Sequence, residues 1–439
     1  MKKILLINPM YKKGYIHSAR WDGLTISGSN WYPIFLSYCT GLLEKNGFEC
    51  KLIDAEADDL TDYNVYKIAK DFKPNFTVIY ISEEGLEYNI KLAKKIKALK
   101  SRIIFVGPWC SIPNVQKKSR KIADHIINGE FEFAVLDIIN DKRKSKLINS
   151  GRLTNEQLKK LPWVTQIYSK YLNLKNYKIG SLHHPFVDLF SGRKCYWGKC
   201  IFCLWPHTIL KEGGYVSRDI EDVLNEIEWV VNNLQIKEIF IQDDSPPSWR
   251  CKQIAEGLLK RRIKIKWSTY ARGDLTLTPE ILKLMKKSGC HCLHVGYESG
   301  SDKILKNINK GLTKSDLETF TKWCNEAGID VHADFMIGLP GETEDTIKET
   351  IEWAKKLNVL TYQFSTPKVY PCTPYYYYTK LNGHPMSFEN MEKWSKIAMK
   401  ECYFSFNFFI RILNRPYEIF RLFRHGKYLV SYLFKNVSE

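Results

Sequence analysis

Apolar runs of strand length alternate with helical segments along most of this 439-residue chain. In the second half, six such runs each end in polar or glycine residues: FVDLFSG, KEIFIQDD, IKWSTYAR, CLHVGYESG, IDVHADFMIGLPGE and TYQFSTPKVYP. A barrel built from βα repeats gathers the loops that follow its strands on one face. We therefore predict an α/β fold with a (β/α)6-type partial TIM barrel over residues 185–385, and we expect the functional residues in those loops.

The first 140 residues alternate in the same way and predict a Rossmann-like, doubly wound parallel sheet. The carboxyl ends of its four apolar runs carry polar or turn-forming residues, namely Asn8 with Pro9, Asp54, Ser82, and Gly107 with Pro108. In such sheets a ligand lies in the crevice beyond the strand ends. No GxGxxG motif follows the first strand, which argues against a dinucleotide.

Cys195, Cys200 and Cys203 lie within nine residues, in GRKCYWGKCIFC, after the first strand predicted for the barrel. Three thiolates can hold a [4Fe–4S] cluster and leave one iron open to chelate a small molecule. Structural zinc instead takes four nitrogen or sulfur ligands, usually from two separated pairs. The spacing favours the iron–sulfur cluster, and zinc with His207 as a fourth ligand is the alternative.

The second half closely resembles the radical S-adenosylmethionine (SAM) superfamily. The matching segments, in order, are the three cysteines, Asp243-Asp244, Arg272 in YARGD, the LTPEILKLMKKSGC helix, GYESGSDKILKNINKG and FMIGLPGETEDT. That family usually has C-x3-C-x2-C, and this chain has one extra residue before Cys200; a loop can bulge around Gly198, because glycine tolerates unusual backbone angles. The resemblance implies that SAM binds the open iron and is cleaved to a 5′-deoxyadenosyl radical, with flavodoxin or ferredoxin as the reductant.

The resemblance also implies roles for residues around the cysteines. Contacts with SAM are expected from Phe202, Arg272, Glu298, Ser299, Gly338 and Pro340. Asp243 is expected to face the substrate, and Cys372, where relatives commonly have glycine, to donate a hydrogen atom or hold a substrate. Each role has a structural alternative: loop packing, an ion pair, a helix N-cap, a tight turn or a buried apolar side chain.

The first domain resembles the cobalamin-binding domain found at the N-terminus of many radical SAM enzymes. The residues that carry this resemblance and are expected to contact cobalamin are Asn8, Pro9, Ser82, Gly107, Pro108 and, in GEFE, Glu130. The DxHxxG motif, whose histidine ligates cobalt in other cobalamin domains, is absent. The resemblance therefore implies cobalamin held base-off, with no protein histidine on cobalt. A docking domain that has lost its ligand is the alternative.

The formal net charge of +18 comes from lysines spread over almost every predicted helix. Because no arginine-rich recognition segment precedes the C-terminal region, we predict a solvated surface rather than a nucleic-acid site. No run reaches the roughly 18 apolar residues of a membrane span, and no secretory signal begins the chain. We expect a cytoplasmic protein with reduced cysteines.

Two further segments flank the barrel. Residues 141–184 are basic and tyrosine-rich and are predicted to form a linker on the surface. Residues 386–439 are predicted to form a helical extension in which aromatics alternate with arginines and Pro416 separates two short helices. This extension could lie on a membrane surface or bind a lipid, or it could cap the barrel.

Together these features predict a cobalamin-dependent radical SAM enzyme, in the first place a C-methyltransferase acting on an unactivated carbon. Cyclisation, ring contraction or oxidation of a hydrophobic or lipid-like substrate would use the same parts. A methylthiotransferase would need three N-terminal cysteines for another cluster, and Cys39, Cys50 and Cys110 lie in the wrong contexts. A non-catalytic cobalamin- or redox-responsive protein is the remaining alternative. The substrate could be a small molecule, a peptide or a lipid.

Overall fold

The computed structural model describes residues 1–18, 22–25, 28–209 and 214–413. Its first six-stranded parallel sheet has the spatial order β2-β1-β3-β4-β5-β6. The strands are β1 (Lys3–Asn8), β2 (Glu49–Asp54), β3 (Phe76–Tyr80), β4 (Arg102–Val106), β5 (His125–Gly129) and β6 (Leu147–Gly151). The sequence predicted the first four strands of this sheet. The Rossmann-like sheet is confirmed, with two more strands than expected.

Helices cover both faces of this sheet, which explains why its central strands β1, β3 and β4 are largely apolar and buried. These helices are Ile34–Lys45, Asp62–Phe72, Leu86–Lys97, Pro113–Ser119 and Glu132–Ile139. Successive side chains of a strand point to opposite faces. In β1, Leu5 and Ile7 therefore enter one hydrophobic core, while Ile4 and Leu6 enter a second core that continues into the barrel.

The second six-stranded sheet is the partial barrel, and its parallel strands neighbour one another in chain order. They are β7 (Phe186–Leu189), β8 (Glu238–Ile241), β9 (Lys266–Ala271), β10 (Cys290–Glu298), β11 (Asp330–Met336) and β12 (Thr361–Ser365). The helices between them are Ile220–Asn233, Ser248–Lys260, Pro279–Lys287, Asp302–Asn307, Lys314–Ala327 and Glu344–Lys356. All six strands predicted from the sequence are confirmed.

The segment predicted as a surface linker is more deeply integrated than its composition suggested. Residues 147–151 form β6, so the first sheet extends beyond residue 140. Two helices follow, Asn155–Lys160 and Val164–Tyr171, and the second buries Val164, Ile167 and Tyr168. The lysines of this segment dominate its composition, but its short elements bury the apolar residues between them.

Three stacked tyrosines join the first sheet, this connecting segment and the barrel. Tyr32 lies between Tyr168 and Tyr177, with ring centroids 4.3 and 3.8 Å away. The Tyr32 hydroxyl donates to the Phe186 carbonyl at 2.7 Å. The Tyr168 hydroxyl donates to Asp188 Oδ1 at 2.6 Å, and the Tyr177 hydroxyl donates to Asp54 Oδ2 at 2.7 Å. All three rings are buried. The two domains therefore share one core and are not joined through a flexible linker.

Asp188 makes the stability of this junction dependent on pH. Burial raises the pKa of its carboxyl to about 8, although the Tyr168 hydroxyl bond lowers it. Between about pH 4 and pH 8 the unfolded chain releases this proton while the folded protein keeps it. We expect the free energy of unfolding to fall as the pH rises through this range, by roughly 5 kcal/mol at most.

Denaturant titrations of the wild-type protein and of Asp188→Asn across this pH range test the expectation. The asparagine side chain keeps an oxygen that accepts from Tyr168, but it cannot ionise. The contribution of residue 188 to the slope of the free energy of unfolding against pH should therefore vanish. Asp71→Asn, at an exposed position, should retain the wild-type slope. An Asp188→Asn protein with the wild-type slope would show that this carboxyl is ionised in the folded state.

Helices after the barrel cover its exposed edge. They are Phe388–Tyr403 and Phe406–Leu413, whereas the helix Pro374–Asn382 contacts the carbonyls of Ile201 and Gly338. The Tyr403 hydroxyl donates to the Tyr362 carbonyl at 2.8 Å and accepts from the Tyr362 amide at 2.9 Å, so it satisfies backbone groups on the edge strand β12. Pro416 and most of the aromatic and arginine-rich stretch lie outside the described residues. Within the described part of the chain, the helices are too short or too polar to cross a membrane.

Candidate active site at the carboxyl ends of two sheets

The three cysteines lie in the loop that follows β7, on the face of the barrel predicted from the sequence. Gly192–Arg193 pairs with Val216–Ser217 just before the loop, and Cys195 forms a bridge with Ser245. Gly198 has a φ of +62°, the left-handed conformation expected for the extra residue in this loop. All three cysteines are partly exposed and free of disulfides.

A cavity of about 870 Å³, partly open to solvent, surrounds the three cysteines. Residues from every strand of the barrel except β12, or from the loops that follow those strands, line it: Lys194, Cys195, Gly198, Cys200, Phe202, Cys203, Trp205, Pro206, Asp244, Ser245, Tyr270, Ala271, Arg272, His294, Gly296, Glu298, Lys310 and Asp334. Six of these carry roles predicted from the sequence: the three cysteines, Phe202, Arg272 and Glu298. His207, the zinc alternative, has its Nε2 3.1 Å from the Cys200 carbonyl oxygen.

A buried ion pair lies beside Cys200. Lys310 Nζ is 2.9 Å from Glu298 Oε1, and both side chains are almost fully buried. Burial raises the pKa of the Cys200 thiol, and the nearby Lys310 cation opposes this. Glu298 has a φ of +65°, at an irregularity where β10 pairs with β11. This strained conformation directs a carboxylate into the cavity, as a binding residue requires.

Arg272 lines the same cavity and is held by three contacts. Its guanidinium lies 4.4 Å from the ring centroid of Trp197, its Nη2 donates to the Lys310 carbonyl at 2.7 Å, and its Nε is 3.4 Å from Asp274 Oδ2. The ion pair considered as the structural alternative is therefore present. The arginine also fixes the backbone of Lys310, whose ammonium pairs with Glu298.

The two adjacent aspartates after β8 have different surroundings. Asp243 is fully buried and accepts from the Ser191 amide at 2.7 Å, the Gly192 amide at 3.0 Å and the Ser191 hydroxyl at 2.6 Å. It therefore fixes the backbone just ahead of the cysteine loop. Asp244, in contrast, lines the cavity. Asp243 was expected from the sequence to face the substrate, but the member of the pair that lines the cavity is Asp244.

A second cavity opens at the carboxyl ends of the first sheet, next to the barrel. It spans about 420 Å³, partly open to solvent, and is lined by Phe35, Tyr80, Gly107, Pro108, Gly129, Glu130, Phe131, Phe190, Arg193, Trp205 and Asp244. Gly107, Pro108 and Glu130 are three of the residues predicted to contact a ligand here. Trp205 and Asp244 line both cavities, so these two side chains form a common wall.

A buried cation with two carboxylates connects the second cavity to the cysteine loop. Arg193 donates to Glu130 Oε1 at 2.6 Å and to Glu132 Oε1 at 2.7 Å, and at most 5% of each of the three side chains is exposed. The guanidinium also lies 5.0 to 5.4 Å from the ring centroids of Phe35, Tyr38 and Phe190. Because Arg193 precedes Cys195 by two residues, this ion cluster ties the first domain to the cysteine loop.

Three other residues predicted for the first domain lie close to this region without lining the second cavity. Asn8 donates to Asp54 Oδ1 at 2.9 Å and is followed by Pro9. The Ser82 hydroxyl accepts from the Gly85 amide at 3.1 Å, at the start of a helix. These residues shape the strand ends rather than the cavity wall.

The remaining predicted residues of the barrel lie at its rim. Ser299 Oγ is 3.2 Å from Thr350 Oγ1 and accepts from the Ser301 amide, so it shapes a helix start. Gly338 has a φ of +108° and donates its amide to Glu342 in a tight turn that includes Pro340. Cys372 has a φ of +75°, a conformation that favours glycine, in the loop before Pro374–Asn382. None of these residues lines the cysteine cavity.

Several cavity residues were not identified from the sequence. Tyr270, His294 and Asp334 come from three neighbouring strands and line the cavity. His294 Nε2 is 2.8 Å from the Ser181 hydroxyl. His294 and Asp334 alternate with the buried apolar residues Val295 and Phe335, and this alternation is the signal that places them on the inner face of the barrel.

Residues 189–354 match the radical SAM superfamily. The whole chain is similar to an uncharacterized methyltransferase of Pyrococcus horikoshii, with 25% identity over 433 residues. That alignment covers 94% of this chain and 92% of the relative. The similarity therefore includes both sheets and extends well beyond the matched domain.

Two solved structures share the fold at 16% identity. TsrM of Kitasatospora setae, a radical SAM methyltransferase, has a TM-score of 0.66 over 85% of this chain and 75% of its own. One of its structures holds cobalamin and a [4Fe–4S] cluster. The cobalamin-dependent SAM radical enzyme OxsB has a TM-score of 0.64 over 87% of this chain, which spans about half of OxsB (55%). Both likenesses show the architecture of the two sheets.

Proposed function

We propose that this chain, whose residues 189–354 match the radical SAM superfamily, is a radical SAM enzyme that uses cobalamin to methylate an unactivated carbon. The observation that carries the proposal is the common wall of Trp205 and Asp244 between the two cavities. A substrate beside this wall would be within reach of both a radical generated at the cysteines and a methyl group carried in the second cavity.

The residues of the larger cavity fit a [4Fe–4S] cluster with SAM. Three thiols from one loop face a single cavity, and the fourth iron would remain open for SAM. When bound, the cluster supplies the electron that cleaves SAM. Glu298 and Arg272 bring one charge of each sign to the cavity, which suits the amino and carboxylate groups of SAM. Phe202, between two of the cysteines, offers a ring for the adenine.

The lining of the second cavity suits one face of a flat, largely apolar cofactor. Its walls include Phe35, Tyr80, Phe131 and Phe190, and among the described residues lining it there is no histidine. Gly129 has a φ of +108°, and a side chain there would meet the Gly151 carbonyl oxygen at 2.6 Å. This lining supports cobalamin bound base-off, without a protein histidine on cobalt. When bound, cobalamin supplies the methyl carrier.

His17 is the histidine to consider as a cobalt ligand, because it lies near Tyr80. It is paired with Glu56, and its Nε2 is 3.1 Å from the Tyr80 carbonyl oxygen. Both side chains of the pair are at most 3% exposed. These contacts favour a role for His17 in supporting the strand end over a role as a cobalt ligand.

Electron paramagnetic resonance of the anaerobically purified protein tests the proposal. The protein is loaded with hydroxocobalamin, freed of unbound cobalamin and reduced mildly. We expect a five-coordinate, base-off cobalt(II) signal without nitrogen coupling. After a stronger reductant has taken the cobalt to cobalt(I) and SAM has been added, we expect methylated cobalamin. Free hydroxocobalamin treated in the same way is the reference.

Two results would overturn the proposal. Nitrogen coupling from the protein would replace the base-off arrangement with histidine ligation. If no cobalamin stayed bound while SAM was cleaved to 5′-deoxyadenosine, the protein would be a radical SAM enzyme that uses hydrogen abstraction alone, and the second cavity would have another purpose.

The structure does not favour a methylthiotransferase. Such an enzyme would need Cys39, Cys50 and Cys110 to hold a second cluster. All three are buried, and burial raises the pKa of each thiol. Cys39 and Cys50 lie in one hydrophobic core, whereas Cys110 lies in the other, across the first sheet. They therefore cannot ligate a common cluster.

A further inference from the structure

We propose that the amino-terminal end of the barrel holds a second metal site, in which His183, Glu238 and His291 bind a divalent transition metal of the zinc class. Glu238 is the first residue of β8, His291 is the second residue of β10, and His183 precedes β7 by three residues. Parallel strands place these positions at the end opposite the cysteine loop. The site is thus independent of the proposed radical chemistry.

The spacing of the side chains suits one shared ion. One nitrogen or oxygen atom from each residue lies within 4.8 Å of the other two. His291 Nδ1 is 3.3 Å from Glu238 Oε1, longer than the usual hydrogen bond of about 2.9 Å. Two ligands of a tetrahedral zinc ion, each bonded at about 2.0–2.1 Å, are separated by roughly 3.3 Å. The pair therefore has the separation expected for two ligands of one metal.

A surrounding shell orients these ligands. His291 Nε2, the nitrogen away from Glu238, is 3.7 Å from Asp330 Oδ2. Histidines that bind metals usually direct their second nitrogen at a carboxylate or carbonyl. The His183 amide donates to Glu238 Oε2 at 2.7 Å, and the Ser268 hydroxyl donates to Oε1. The carboxylate is thus held in place with a lone pair of Oε1 toward His291.

Charge and burial also favour a cation here. The Glu238 side chain is 0% exposed and that of His291 is 9% exposed, so an ionised Glu238 carboxylate is far from water and favours a positive partner. The Lys266 ammonium is 2.9 Å from His183 Nε2, so it places a positive charge beside the three proposed ligands when no metal is bound. Lys266 is exposed, so it can turn into solvent when a metal binds.

Two histidines and one carboxylate, with a water molecule completing the set, form a ligand group that suits zinc and its neighbours. The three ligands come from the segment before the edge strand β7, from β8 and from β10. A bound metal would therefore link the segment before the edge strand β7 to the inner strands β8 and β10. Stability is the usual role of residues at this end of such barrels.

Cobalt(II) titration of the full-length protein, with its iron–sulfur cluster reconstituted, tests the site. We expect one bound equivalent with visible bands of tetrahedral nitrogen and oxygen ligation and no thiolate charge-transfer band. Cobalt binding should persist when Cys195, Cys200 and Cys203 are all replaced by alanine. It should weaken at least tenfold in His183→Ala and about 10–100-fold in Asp330→Asn.

His384→Ala is the matched control, because His384 is exposed and distant in sequence from these residues. It should bind cobalt like the wild type. His183 is only partly buried, so its variant is expected to fold even if a His291 variant does not. The absence of cobalt binding outside the three cysteines, or equal binding by His183→Ala and wild type, would overturn the proposal. So would a zinc-induced rise in melting temperature of the same size in both proteins.

Discussion

Replacing Cys200 by alanine is expected to abolish SAM cleavage. Cys200 is the central member of the three cysteines, and its loss leaves two thiols for a cluster that needs three. Loss of a partner outside the ligand shell of a metal typically costs about 10–100-fold in affinity or activity, so loss of a ligand should cost more than roughly 100-fold. The measurements are iron and sulfide content after reconstitution and the rate of 5′-deoxyadenosine formation.

Cys251→Ala provides the control for removing a thiol. Cys251 is buried in the helix Ser248–Lys260, away from the cavity, and its variant should keep the cluster with at most a modest loss of stability. If Cys200→Ala retained a full cluster and cleaved SAM at a rate close to that of the wild type, the ligand assignment would be wrong. In that case His207, whose ring lies 3.1 Å from the Cys200 carbonyl oxygen, would be the first residue to examine.

The features that could be predicted from the sequence are those encoded locally. The cysteine loop, the six strands of the barrel and the bulge at Gly198 each depend on residues close together in the chain. Periodicity and spacing are sufficient to predict these features. Glu298 was expected at the site from the family resemblance, and it lies at the end of β10, where strand ends gather on one face of the barrel.

The features that were missed depend on pairing across long distances. Arg193 and Glu132 are 61 residues apart in the chain, and neither belongs to a sequence motif that predicts an ion pair. Tyr32 meets Tyr168 only because the connecting segment packs between the two domains. The choice between Asp243 and Asp244 depended on which carboxylate meets the amides of residues 191 and 192, and the periodicity of β8 could not decide it.

Replacing Arg193 by alanine is expected to lower the free energy of unfolding by about 3–5 kcal/mol, because two buried carboxylates would lose their shared cation. Glu132 is fully buried, and burial already raises its pKa while Arg193 opposes this. The same change should impair cobalamin retention, since both Arg193 and Glu130 line the second cavity. Denaturant titration and the cobalamin remaining after gel filtration measure the two effects.

Two further variants distinguish the effect of leaving buried charges unpaired from the other effects of losing the Arg193 side chain. In the triple variant Glu130→Gln, Glu132→Gln and Arg193→Met, no unpaired charge remains, so most of the lost stability should return while cobalamin retention stays impaired. Arg261→Ala removes an exposed ion pair with Glu221 and Glu228 and should cost less than about 1 kcal/mol. An Arg193→Ala protein as stable as Arg261→Ala would show that the ion cluster does not hold the domains together. Full stability of the triple variant with normal cobalamin retention would show that the cluster serves the fold alone.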